Sequence, residues 1–216
     1  MRYFILDKFN TWHDWRLTLT AKEVSPPNPK TNYITLDGRH GTLDLSEALT
    51  GEVVYEDRTV MAKFWTSEGT DTSRVQLMRE IIAALHGRKV QIVEPDDPDH
   101  YFLGRVYIKP DAHDQVHDEF TLEAVCEPWR YDLFEMARRV EVDGNSLDII
   151  LRNNGVKTLC PTIEVEGSVT LTYDGATLGL TTGSYKVSDV KLRHGFNTVG
   201  VSGTGSVTFI YREATL

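Results

Sequence analysis

Val169-Thr170-Leu171-Thr172-Tyr173-Asp174-Gly175-Ala176-Thr177-Leu178-Gly179-Leu180 alternates apolar and polar residues on both sides of an Asp-Gly pair. Successive side chains of a strand point to opposite faces, so a period of two marks a half-buried strand. Asp-Gly readily takes the positive-φ conformations of a two-residue hairpin turn. The stretch therefore reads as a β-hairpin, and its neighbours repeat the pattern. Strands are predicted over Leu147–Leu151, Thr162–Val165, Val169–Tyr173, Ala176–Leu180, Ser184–Val187, Asp189–Leu192, Asn197–Val201 and Ser206–Tyr211. His194-Gly195 and Ser202-Gly203-Thr204-Gly205 read as turns between them. So many short strands from Val140 onward predict a β-sandwich of jelly-roll type.

Toward the N-terminus the pattern stays β with one interruption. Val75, Met78, Ile81, Ile82 and Leu85 recur at helical spacing and form one apolar stripe. Asp71 and Thr72 are suitable caps before it, and Gly87 closes it, so a helix is predicted over about 73–86. Phe120, Leu122, Ala124 and Cys126 alternate with Thr121, Glu123 and Val125 as a long strand with one face inward. Tyr101–Ile108 and Val90–Val93 pair around the turn Glu94-Pro95-Asp96-Asp97-Pro98-Asp99, and Pro110–Asp114 reads as another turn. Tyr3–Leu6, Trp15–Leu19 and Tyr33–Leu36 are short strands, and Glu52–Tyr55 with Arg58–Trp65 reads as a hairpin. Pro26, Pro27 and Pro29 favour an extended, polyproline-like connection over Ser25–Lys30. The fold class is mainly β with one helix: an N-terminal β-sandwich or β-hairpin domain over 1–135, then a C-terminal β-sandwich over 136–216.

The chain has 216 residues, 40% hydrophobic and 25% charged, with a formal net charge of −9. An acidic chain repels phosphate backbones and anionic lipid, which argues against nucleic acid and membrane partners. The apolar run at Tyr3–Leu6 is too short for a signal peptide, and no segment approaches the ~20 apolar residues of a membrane span. Cys126 and Cys160 are too few for a disulfide framework and are expected to be reduced.

No motif carries a catalytic expectation. His113 and His117 flank a turn, so they need not share a metal. Asp96, Asp97, Asp99 and His100 lack the glycine and distal glutamate of an EF-hand and read as a solvated hairpin tip. Ser202–Ser206 lacks the lysine and following helix of a phosphate loop. No G-x-S-x-G elbow occurs. Neither cysteine has a suggested histidine partner. Trp12, Trp15 and Trp65 read as packing residues rather than sugar platforms. No catalytic residue, cofactor or metal is expected.

The pattern from Ser25 to Phe64 resembles the N-terminal domain of siphophage distal tail proteins. A proline arm (Pro26, Pro27, Pro29) precedes Gly38-Arg39-His40-Gly41-Thr42-Leu43-Asp44. Ser46-Glu47-Ala48-Leu49 follows, then Tyr55-Glu56-Asp57-Arg58 before a strand. The motif residues are Pro26, Pro27, Pro29, Gly38, Arg39, Gly41, Leu43, Asp44, Glu47, Tyr55 and Arg58. Asn153-Asn154-Gly155 and Leu192–Asn197 resemble the same family's C-terminal sandwich, which is likened to galectins and carbohydrate-binding modules.

The resemblance implies a structural subunit of the virion, made in the bacterial cytoplasm, rather than an enzyme. It implies a hexameric ring of N-terminal domains at the tail tip. Its partners are then its own copies, the tail tube protein, the tail-tip or tail-associated lysin and the receptor-binding proteins. One of Arg39 and Arg58 is expected to pair with Asp44 or Glu47, fixing the Gly38–Asp44 turn or an intersubunit contact. An alternative is a carbohydrate-binding module engaging host cell-wall glycan, with Tyr173, Tyr185 and Phe196 as candidate stacking rings. A cell-wall hydrolase is a third reading, with no placed catalytic set to support it.

Overall fold

The computed structural model describes residues 2–114 and 116–216. The chain divides into two compact units, one of residues 1–129 with Leu216 and the other Arg130–Thr215. It is mainly β, with one helix and two principal antiparallel sheets among the described residues.

The first unit contains β1 (Ile5–Leu6), β2 (Phe9–Asn10), β3 (Thr18–Val24), β4 (Tyr33–Thr35), β5 (Thr42–Asp44), β6 (Arg58–Thr66), α1 (Asp71–Leu85), β7 (Lys89–Glu94) and β8 (Asp97–His113), with β9 (Asp118–Asp132) ending in the second unit. Its main sheet runs β2-β1-β7-β8-β9-β6-β3. The inward positions Val60, Ala62, Phe64, Phe120, Leu122, Ala124 and Cys126 form the core with Phe4, Leu6 and Phe102. Phe64 stacks on Phe120 with centroids 5.5 Å apart and meets Phe4 edge-on at 6.0 Å. Helix α1 adds Ile81 and Leu85 to this core, with Leu77, Met78 and Ile82 beside them. Thr70 rather than Asp71 or Thr72 caps it, its hydroxyl accepting from the Ser73 amide.

The sheet curls until side chains from distant strands meet. Lys22 of β3 forms ion pairs with Glu94 at the end of β7 and, at 2.7 Å, with Asp96 of the β7–β8 turn. Arg2 also pairs with Asp96. Burial lowers the Lys22 pKa, but hydrogen bonds to Asp96 and Glu94 raise it more, leaving it above the ordinary lysine value. Asp96 lies below the ordinary carboxylate range, chiefly through its hydrogen bond from Lys22. The Lys22 contribution is full below its unfolded pKa of about 10.4 and fades as pH rises through the folded value. The Asp96 contribution is present above its unfolded pKa of about 3.9 and is lost as pH falls through the folded value. Lys22→Met removes the cation that Glu94 and Asp96 share. It is expected to destabilise the first unit by about 2 kcal/mol at neutral pH, less than a fully buried pair because Lys22 is partly solvated. Urea unfolding at neutral and acid pH checks this, with the gap from the parent narrowing in acid.

The second unit contains β10 (Met136–Asp143), β11 (Leu147–Asn153), β12 (Thr162–Tyr173), β13 (Ala176–Lys186), β14 (Gly195–Tyr211) and β15 (Ala214–Thr215), which pairs with Arg130 and Tyr131 at the end of β9. Its sheet runs β10-β14-β12-β13, with β11 alongside the first half of β14. Here the structure corrects the expectation of many short strands. Val169–Tyr173 and Thr162–Val165 are one strand, as are Ala176–Leu180 with Ser184–Lys186 and Asn197–Val201 with Ser206–Tyr211. Ser202–Gly205 is therefore not a turn but the middle of β14. Asp189–Leu192 forms no strand, only an isolated bridge from Leu192 to Leu159.

The physical reason is a crease of glycines. Gly205 lies opposite Gly167, and Gly183 opposite Val165, on three neighbouring strands. Gly167, Gly203 and Gly205 hold φ of +99°, +113° and +132°. There β14 changes partner from β10, which ends at Asp143 opposite Thr204, to β11, which begins at Leu147 opposite Val201. Glycines that end strands in other contexts here bend continuous ones. Both halves of the creased sheet turn the same side onto one core, built around Ile163, Val165, Leu171, Val201, Val207 and Phe209.

Three further expectations in the first unit are corrected. Pro110–Asp114 is not a turn, since β8 continues to His113. Trp15 lies in a turn before β3, where it stacks on Phe9 at 4.9 Å. Glu52–Tyr55 is not a strand; Tyr55 makes one isolated bridge, to Pro29.

Candidate assembly interface

Between β3 and β6 the chain leaves the first unit's core and returns, forming one long hairpin arm. Its root is fixed at Ser25 and Arg58. The Ser25 amide donates to the Thr59 carbonyl at 3.1 Å, and Arg58 Nε donates to the Ser25 carbonyl at 3.0 Å. Arg58 is buried, with its guanidinium 5.1 Å from the centre of the Phe102 ring. Pro27 is buried at this root, while Pro26 and Pro29 are exposed. Tyr55 packs edge-on against Trp129 at 5.8 Å.

Beyond the root the two legs hold each other. Lys30 N donates to Val54 O at 2.7 Å and Glu56 N to Asn28 O at 2.8 Å, around the bridge between Pro29 and Tyr55. Further out, β4 and β5 pair Tyr33 with Asp44, Ile34 with Leu43 and Thr35 with Thr42. The tip is Leu36–Gly41. Gly38 and Gly41 take φ of +80° and +75°, a conformation that costs an L side chain. Glu47 and its neighbours make a tight turn after β5, closed by Gly51 N donating to Glu47 O at 2.8 Å.

Arg39 and Arg58 do not meet Asp44 or Glu47. Asp44 is engaged by Ser46, whose hydroxyl and amide donate to it at 2.5 and 2.9 Å and hold its pKa below the usual carboxylate range. Asp44 therefore shapes the bend after β5, while Arg58 anchors the arm. Arg39 sits exposed at the tip.

The arm has little interior. Residues 28–42 are all exposed, and Leu49 is 100% so. Tyr33, Ile34, Leu36 and Val53 add to this apolar surface. A two-stranded hairpin is at best marginal by itself in water, and exposed apolar side chains grouped on one element mark a contact surface. Sequence reading identified the turn glycines but not the apolar set. Its signal was present: Tyr33-Ile34-Thr35-Leu36 places apolar groups on both faces of a strand.

The other candidate groups are engaged locally. His113 Nδ1 lies 2.6 Å from Asp118 Oδ1, and His117 Nδ1 lies 3.0 Å from Asp114 Oδ2. Buried Arg74 on α1 lies 3.5 Å from Asp118 and donates to the Asp114 carbonyl at 2.8 Å. The Tyr173 hydroxyl binds Lys191 O and Asn197, and the Tyr185 hydroxyl donates to Thr181 O at 2.9 Å; both rings pack on the core. Phe196 alone of the three candidate stacking rings is largely exposed. Buried Asn197 also fixes the Leu192–Asn197 turn, donating to Arg193 O at 2.8 Å and accepting from Arg193 N at 2.9 Å.

No protein-family model matches the chain, and no curated protein sequence does. A solved structure does: the crystal structure of Dit from phage SPP1, described as a paradigm of the hub adsorption apparatus of phages that infect Gram-positive hosts. The two share 17% identity and superpose with a TM-score of 0.70, covering 100% of each chain. Over its whole length this chain has the fold of a phage distal tail protein.

Proposed function

We propose that this chain is a distal tail protein, a structural hub subunit of a long-tailed phage or a tail-derived particle. Residues 1–135 form a hexameric ring, and residues 136–216 are the C-terminal β-sandwich domain that follows. The ring joins the tail tube protein to the tail tip or tail-associated lysin and to the receptor-binding proteins. The molecule works by shape in the virion and not by catalysis.

The observation that carries this reading is the arm. A ring needs a heterologous contact that closes by rotation, so each subunit must offer two different surfaces. A rooted hairpin with apolar side chains and little core of its own suits one of them, laid on the body of the next copy. The SPP1 likeness supplies the hub context.

Replacing residues 31–53 with a short Gly-Ser linker tests the reading. The root contacts of Ser25, Arg58 and Tyr55 remain, so the thermal midpoint of the first unit is expected to stay within a few degrees. Ring assembly is expected to disappear in light scattering. Unaltered assembly by the arm-less variant contradicts the role given to the arm.

A further inference from the structure

We propose that the arm tip of one copy docks in a groove between α1 and β8 of the next copy, with Leu36 filling the groove and Asp37 pairing with Arg79 at its rim. The inference rests on the ring reading above and names the surface that receives the arm. Val75, Met78 and Arg79 lie at helical spacing on one face of α1. Pro110 and Ala112, two residues apart on β8, line the groove with them. Val75 and Met78 are only half-buried and Pro110 and Ala112 are exposed, so the protomer leaves this strip uncovered.

The groove holds about 180 Å³ and its lining is almost wholly apolar. A cavity of about 150 Å³ takes one benzene ring, so this one suits a single large apolar side chain.

The charges around the groove select the occupant. His113 is engaged by Asp118 at 2.6 Å and Asp71 at 3.3 Å, and Glu119 by Lys63 at 3.2 Å. Among the described residues, the Arg79 guanidinium makes no hydrogen bond or ion pair within the chain. The fitting occupant is therefore an apolar side chain with a free carboxylate beside it. Leu36-Asp37 at the arm tip has that chemistry. Both residues are exposed, and the Asp37 carboxylate is likewise unpaired among the described residues. Leu43-Asp44 does not, because Ser46 already holds the Asp44 carboxylate.

The test is charge reversal in the full chain, read as ring assembly in light scattering. Arg79→Glu and Asp37→Arg should each raise the concentration needed for assembly about tenfold or more, since like charges then face each other. The double variant should recover most of the loss. An equal mixture of the two single variants should also assemble, because each arm then meets a complementary groove on the other variant. A tip docked on its own chain gives no such rescue. Leu36→Ala should weaken assembly about tenfold, and Leu36→Met should preserve it. All three positions are exposed, so the variants should keep the parent's circular dichroism. Parental assembly by Arg79→Glu, or no rescue in the mixture, overturns the docking site. If removal of the arm still abolishes the ring, the arm's role survives that failure. A parent that forms no ring removes the hub reading and this inference together.

Discussion

Gly205→Ala is expected to unfold the second unit or to cost it about 3 kcal/mol or more. Two effects add at this position. Gly205 holds φ of +132°, which an L side chain rarely adopts, and a Cβ there would sit 1.9 Å from the Glu166 carbonyl oxygen. Neither obstacle is a flexible side chain. The opposing strand would have to retreat at the point where β14 lies against Gly167 and passes from β10 to β11. The core on both sides of the crease depends on that contact, with Val165 and Val207 paired just beyond it. Gly179 is the control. It lies on the same sheet with no left-handed φ, and a Cβ added there would meet nothing within 4 Å, so Gly179→Ala should be close to neutral. Urea unfolding followed by circular dichroism separates the two, and equal stabilities would remove the crease from the account.

Gly104→Ala is expected to destabilise the first unit by about 2–3 kcal/mol and to expose a hidden thiol. A Cβ on Gly104 would meet Cys126 Sγ at 2.3 Å, Val125 O at 2.8 Å and Cys126 Cα at 2.9 Å. Two of these are backbone atoms of β9, so β8 and β9 must part. Burial pushes the Cys126 thiol pKa up to about 12, and the side chain is fully enclosed, whereas Cys160 is exposed. A thiol reagent at neutral pH should therefore label Cys160 alone in the parent protein. In Gly104→Ala the Cys126 thiol should become reactive without denaturant. Slow, parental labelling of Cys126 in the variant contradicts the close packing of these strands.

Much of this architecture was legible because local signals agreed. The α1 stripe at Val75, Met78, Ile81, Ile82 and Leu85 and the alternation at Phe120–Cys126 each point to one element, and both form. Where reading went astray, one residue type served two uses. Glycine at 203 and 205 supplies positive φ for a turn or for a bend in a continuous strand, and only the partner strand decides which. Buried Arg74 and Arg58 were unreadable as core positions, because charge marks a surface unless a distant partner is known. For Arg58 that partner is a carbonyl on Ser25, and for Arg74 it is Asp118 with the Asp114 carbonyl. The Gly38–Asp44 pattern was visible as a turn, but its isolation from any core depends on what the chain does not fold against.

Negative-stain microscopy of the purified full chain, at micromolar concentration with and without the proposed tail tube partner, tests the hub reading most directly. The expected images show rings of several subunits around an open centre, lost when the arm is removed. Single particles of one 24.5 kDa protomer under both conditions would contradict it.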